Sequence, residues 1–260
     1  MADKKPSSSY RVPALEKGLN VLEVLSSVSE PLSLSQVSDR AGKTTSELFR
    51  TLNCLVERGY VSRDDLSGKY QLTLKLFELA HRHSPLDHLL QAAEVPMQEL
   101  AHQLKESCHL SILYNNRLLV LSQALSPSKV RLSLSVGATF SPITTVSGRM
   151  LLAMLPPDEA AAILENNPAY HEMNSDERQQ FHDRLQLVRQ TGISKATDES
   201  FVGLQDVAVR VGSPAAGQMA ALAVTRLTAA KKAHSTAHVE EALIECARLI
   251  NERAGLPGNS

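Results

Sequence analysis

Thr44-Thr45-Ser46-Glu47-Leu48-Phe49-Arg50-Thr51-Leu52-Asn53-Cys54-Leu55-Val56-Glu57-Arg58-Gly59 decides how the first third of this chain folds. Thr44 and Glu47 have capping-box spacing, so a hydroxyl and a carboxylate can satisfy the first orphan amides of a helix. Gly59 supplies a residue tolerant of left-handed backbone to end it. Leu48, Leu52, Leu55 and Val56 fall at i, i+4, i+7 and i+8, a single apolar stripe. Ser46, Arg50 and Asn53 therefore point the other way, with Thr45 and Phe49 at the margin.

Outward from this helix the pattern stays legible. Leu34–Ala41 reads as a two-turn helix stopped by Gly42. Residues 60–63 and 69–72 bracket Asp64-Asp65-Leu66-Ser67-Gly68, a turn-rich hairpin with Arg63 on one strand and Lys69 on the other. Pro13 can open a further helix whose stripe is Leu15, Leu19, Leu22 and Leu25, broken at Glu30-Pro31. Helix, glycine turn, polar-faced helix and hairpin make a winged helix-turn-helix over residues 12–73, whose second helix fits a DNA major groove. The residues expected to touch DNA are Thr44, Thr45, Ser46, Phe49, Arg50, Asn53, Arg63 and Lys69, as donors to bases or phosphates or as contacts at the groove edge.

Composition bounds the rest. At 260 residues and 43% hydrophobic content the chain divides into two domains with sizeable cores. Residues 1–83 carry 12 Lys+Arg against 10 Asp+Glu, leaving 15 against 18 in the remainder, a mildly basic segment beside an acidic one. Cys54, Cys108 and Cys246 are odd in number and widely spaced, which suits a reducing cytoplasm. No apolar run approaches the ~18 residues of a membrane span, and no signal peptide opens the sequence. Aromatics are only 4% and Trp is absent, against a stacking platform for single strands.

The run Leu34–Val61, ending Leu55-Val56-Glu57-Arg58-Gly59-Tyr60-Val61, resembles the DNA-binding domain of the isocitrate lyase regulator (IclR) family of bacterial transcription factors. The likeness continues through residues 68–76 and Thr145-Val146-Ser147-Gly148-Arg149-Met150-Leu151-Leu152-Ala153, and more weakly through residues 197–204. It implies a winged helix-turn-helix followed by a GAF-like effector-binding domain, an α+β protein overall. It also implies a homodimer or a dimer of dimers on operator DNA, with a small organic effector. Where the family has Leu-Pro-Lys before the recognition helix, this chain has Lys43-Thr44-Thr45. By position, the effector pocket falls on Val146, Ser147, Ala196, Leu204, Asp206, Ala223 and Thr225. Ala196, Asp206 and Ala223 stand where members that bind small keto acids place an acid, a cysteine and a serine, so a different effector is expected, an aromatic or aliphatic acid among the candidates.

The remaining elements follow from local signals. Residues 1–11 are polar and Ser-rich, a disordered arm. Residues 74–84 form a linker helix rich in apolar residues, suited equally to its own core or to a dimer contact. Ser84-Pro85 marks the boundary to a domain over 85–256. There a helix reaches Val95, Pro96 restarts it, and a hairpin turns at Asn115-Asn116. Residues 129–136 alternate strictly and read as the clearest strand of the chain. Thr144-Thr145 opens an apolar helix ended by Pro156-Pro157, Asn174 with Glu177 caps another, two strands follow over 204–211 and 218–225, and a helix carrying Val239, Leu243, Cys246 and Ile250 closes the chain. Hydroxyls and free amides at the helix opening by Ser147 suit an anionic group, although an ordinary cap has the same sequence. His234 and His238 are spaced for one helix face but lack further ligands, so no metal or other cofactor is expected. Ser147 lacks the glycines on both sides that a nucleophile elbow needs, and no phosphate loop is present, which argues against an enzyme. The alternatives are a DNA-binding protein without a ligand and a small-molecule hydrolase.

Overall fold

The computed structural model describes residues 12–81, 85–199, 201–228 and 234–257. The expected N-terminal arm and the end of the linker lie outside them. The chain forms two compact units, residues 1–84 and 85–260.

In the first unit, α1 spans Pro13–Ser26, α2 Leu34–Ala41 and α3 Thr45–Glu57; strands β1 (Val61–Arg63) and β2 (Tyr70–Leu72) precede α4 (Lys75–His81). The predicted signals act as physical caps. The Ser33 amide donates to Gln36 Oε1 at 2.8 Å while the Gln36 amide donates to Ser33 Oγ at 3.3 Å, and Thr44 and Glu47 form the same reciprocal box at α3. Gly42 and Gly59 adopt φ of 62° and 75°, conformations that a Cβ would strain. Val21, Leu25, Val37, Leu48, Leu52, Val61 and Tyr70 fill one small core. The hairpin is antiparallel, with Arg63 opposite Tyr70, and Leu32 bridges Tyr70 from the other side. The stripe expected on α1 is corrected: Leu15 and Leu19 are 58% and 50% exposed, and Val21 and Leu25 are the buried pair. So small a core has room only for the last two turns of that helix.

The second unit is a three-layer α+β sandwich. Its sheet has six strands in the order β5-β4-β3-β8-β7-β6, all neighbours antiparallel. These are β3 (Cys108–Tyr114), β4 (Arg117–Ala124), β5 (Thr139–Phe140), β6 (Ile193–Thr197), β7 (Leu204–Ser213) and β8 (Gln218–Leu227). Helices α5 (Pro85–Leu104) and α10 (Thr236–Arg253) cover one face. The other face carries α6 (Val146–Met154) and α9 (Ser175–Thr191), with α7 (Pro157–Glu165) and α8 (Pro168–Glu172) linking them. Alternation along β7 and β8 explains the layers. Val207, Val209, Leu222 and Val224 face α5 and α10, whereas Ala208, Ala221 and Ala223 face α6, where small side chains let the helix sit close.

Two readings of the sequence change here. Pro96 does not interrupt α5, which runs unbroken through it from Pro85 to Leu104. Residues 129–136 join no ladder, beginning in a bend and ending in a turn. The Gln123 carboxamide instead takes both backbone groups of Leu134, at 2.8 Å each, and backbone pairing resumes only where Gly137 and Ala138 meet Val120, just ahead of β5. The edge strands β5 and β6 and the short α8 carry no strong sequence signal.

Candidate functional site

On α3, Thr45, Ser46, Phe49 and Arg50 are exposed and Asn53 is half-buried, all opposite the buried Leu48 and Leu52. Thr44 is less free than the others: its hydroxyl donates to Glu47 Oε2 at 2.8 Å. Glu47, a liability beside phosphates, is engaged internally. The Thr44 amide and hydroxyl, with Lys17, pull its carboxyl down to about 2, and Lys17 Nζ lies 3.3 Å from Oε1. Arg63 and Lys69 are exposed on the wing, with the Arg63 guanidinium 5.7 Å from the Tyr70 ring centre. Asp64 is folded back into the turn, accepting from the Ser67 amide and hydroxyl at 2.6 Å each. The polar face therefore presents two wing cations and Arg50, with the Glu47 and Asp64 carboxylates engaged internally.

In the second unit a cavity of ≈120 Å³ opens between the sheet and the start of α6. Register explains its floor. Asp206 pairs with Thr225 on β8 and with Ala196 on β6, and two residues along β8, His109 pairs with Ala223. Thr225 Oγ1 donates to Asp206 Oδ1 at 2.5 Å, and Asp206 is only 7% exposed. Above them, Thr145 caps α6 by accepting from the Gly148 amide at 3.1 Å, which points Ser147 Oγ to within 3.4 Å of His109 Nε2. Of the residues nominated from sequence, Val146, Ser147, Leu204, Asp206 and Thr225 line this cavity. Ala223 does not, being fully buried beneath α6, and Ala196 packs against the α6–α9 core from the edge strand.

Sequence reasoning missed His109, Val120, Leu134, Phe140 and Phe201, which also line the cavity. His109 shares its strand with the titratable Cys108 and Tyr114 and the polar Ser111, so nothing local singles it out. The others come together only through sheet order and the loop after β6. That loop is pinned from below. Arg149, 2% exposed, donates from both terminal nitrogens to Glu199 at 2.7 and 2.8 Å, and Arg184 reaches the same carboxylate at 2.5 Å. Beyond Phe140, Thr145 and Phe201 the cavity meets a wider groove of ≈760 Å³.

Burial pushes the His109 imidazole down to about 4. An unfolded imidazole titrates near 6.5, so between about 6.5 and 4 the unfolded chain holds a proton that the folded chain refuses. Stability should therefore fall as pH drops through that window. Denaturant melts from neutral pH to about 4 should show native protein losing roughly 3 kcal/mol more than His109→Gln. Parallel losses would place the proton elsewhere.

His234 precedes Ser235, the N-cap of α10, so it does not share a helix face with His238, although the rings stack at 4.7 Å. No group of three metal-ligating side chains occurs among the described residues, and no helix among them is long and apolar enough to cross a membrane.

Comparison with known proteins gives this arrangement its context. Residues 14–65 match the IclR helix-turn-helix domain, and residues 85–252 match the bacterial transcriptional regulator IclR C-terminal domain. The chain belongs to the IclR family. It is 30% identical over 213 residues to the transcriptional regulator KdgR of Dickeya chrysanthemi, spanning 80% of this chain and 68% of that one. The glycerol operon regulatory protein of Streptomyces coelicolor is 24% identical over 246 residues, 94% of this chain and 97% of the other. An IclR homolog from Microbacterium hydrocarbonoxydans, solved with 4-hydroxybenzoate, superposes with a TM-score of 0.79 at 23% identity, covering 93% and 99% of the two chains. This IclR-type protein is thus a transcriptional regulator with a helix-turn-helix DNA-binding domain and a C-terminal effector-binding domain.

Proposed function

We propose that this IclR-type regulator works in the cytoplasm, reads its operator through the α3 face and wing, and is switched by a small organic effector held in the cavity beside Ser147. Thr45, Ser46, Phe49, Arg50 and Asn53 meet base edges, and Arg63 and Lys69 meet phosphates. One such head covers few base pairs, so heads act in pairs, as a dimer or a dimer of dimers. Exposed Leu15, Leu19, Leu74 and Phe77 supply apolar surface for that pairing. The observation that carries the effector reading is the convergence of α6, β7 and β8 on one small, largely apolar cavity with a few fixed polar groups, the usual make-up of a ligand pocket. The 4-hydroxybenzoate held by a structural relative is of a size with that cavity.

A ligand changes DNA affinity only as far as it binds two arrangements of the heads unequally. A metabolite that raises the melting temperature of the full chain is expected to shift its operator affinity about 5- to 150-fold. Stabilising ligands that leave DNA affinity untouched would make this a DNA-binding protein without ligand control. The contact between Ser147 Oγ and His109 Nε2 favours a second reading, a hydrolase. Ester cleavage by the native chain, abolished in Ser147→Ala, would establish it in place of the first.

A further inference from the structure

Arg131-Leu132-Ser133-Leu134-Ser135 lies between a bend and a turn and belongs to no helix or ladder. It nevertheless runs beside the edge strand β4. The Gln123 side chain takes both backbone groups of Leu134, at 2.8 Å each, and Val120 exchanges backbone bonds with Gly137 and Ala138. An amide and a carbonyl of one residue turned to the same side mark an extended chain, whose next residues turn theirs to the opposite edge. The backbone of Arg131, Ser133 and Ser135 therefore faces away from β4. Among the described residues, the three amides and the carbonyls of Arg131 and Ser133 have no partner there, and all three side chains are exposed. An unpaired edge of this kind is a template for another strand.

Its side chains fit a copy of itself. Val130, Leu132, Leu134 and Val136 are spaced symmetrically about Ser133. Val130 and Val136 are 79% and 62% exposed, whereas the two leucines are partly covered. Antiparallel pairing of two copies, with Ser133 on the two-fold axis, sets valine against valine and leucine against leucine. The same register sets Arg131 against Ser135 and Lys129 against Gly137, so no cation meets a cation. Parallel pairing in register would oppose each cation to its own copy, which destabilises a strand pair. A two-fold contact uses one patch twice, and a self-complementary strand meets that requirement alone. We infer that residues 131–135 form an isologous contact between two copies of this chain, extending one sheet edge onto the other about Ser133. The contact is separate from the pairing of heads through the first unit and independent of any effector.

Cysteine cross-linking of the full chain tests this, in a Cys54→Ser background that removes the exposed native thiol. Ser133→Cys should give a disulfide-linked dimer on mild oxidation, because residues opposed on the axis have Cα atoms about 5.5 Å apart. Arg131→Cys and Ser135→Cys should each fail alone, since each lies about 13 Å along the strand from its own copy. Combined in one chain, they should link. Ser133→Pro removes the amide donated across the axis and should halve the mass read by light scattering, whether or not heads also pair. No linkage at Ser133→Cys, equal linkage at Arg131→Cys or Ser135→Cys alone, or an unchanged mass for Ser133→Pro overturns the contact.

Discussion

Replacing Gly148 by alanine should lower the stability of the C-terminal domain by about 3 kcal/mol or more, at the upper end of what overpacking costs. A Cβ built on Gly148 lies 2.1 Å from the Pro142 carbonyl oxygen and 2.3 Å from its Cα. Both are backbone atoms, so no rotamer change relieves the overlap. The 141–145 loop is itself tied down, with Thr145 Oγ1 donating to the Ser141 carbonyl at 3.3 Å while capping α6. Relief requires lifting that loop off the helix, which breaks the cap and displaces Thr145 and Ser147 from the cavity. For a domain of this size the loss corresponds to a melting point about 6–12 °C lower, with ligand binding impaired. A variant that melts with the native protein would mean that the loop is free to move.

Glu199→Ala should cost more than Arg149→Met, although the two residues form one ion pair. Arg149 is 2% exposed, and removing its partner strands a guanidinium where water reaches poorly. Breaking a buried pair from one side costs about 3–5 kcal/mol, and with the Glu199 side chain 30% exposed about 2–3 kcal/mol is expected. Arg149→Met instead leaves Glu199 with Arg184 and solvent, and a methionine in the packed position. The double variant should therefore be more stable than Glu199→Ala alone. Because Glu199 lies in the loop that carries Phe201, Glu199→Ala should also weaken ligand binding. Equal losses for the two single variants would contradict the asymmetry.

How much of this was legible in the sequence follows from the range of the interactions. Capping boxes at Thr44/Glu47 and Asn174/Glu177, the glycine stops and the Asn115-Asn116 turn are settled within four residues, and the structure holds each where the sequence put it. Residues 129–136 have the alternation of a strand, but alternation reports which side chains face inward, not where the amides bond. Here the Gln123 side chain takes what a neighbouring strand would have taken. Strand β6 is five residues on a sheet edge with mixed polarity, too short for periodicity to register. The α1 stripe misled because α1 is longer than the core beneath it. Within the cavity, the residues named from the family resemblance supply part of the sheet floor and the start of α6. His109, Phe140 and Phe201 arrive through strand order and a loop return, which no local pattern encodes.

On the proposed function, the outward face of α3 reads duplex DNA and heads work in pairs. Selection of bound duplexes from a random pool by the native full-length chain, repeated with Arg50→Ala, tests it most directly. The native protein should enrich two related half-sites with centres about 10 base pairs, or a multiple of that, apart. Arg50→Ala should lose about 1–3 kcal/mol on the enriched sequence while holding random duplex at low salt as well as the native chain. No enriched sequence, a single half-site, or the same enrichment with and without Arg50 would contradict the account.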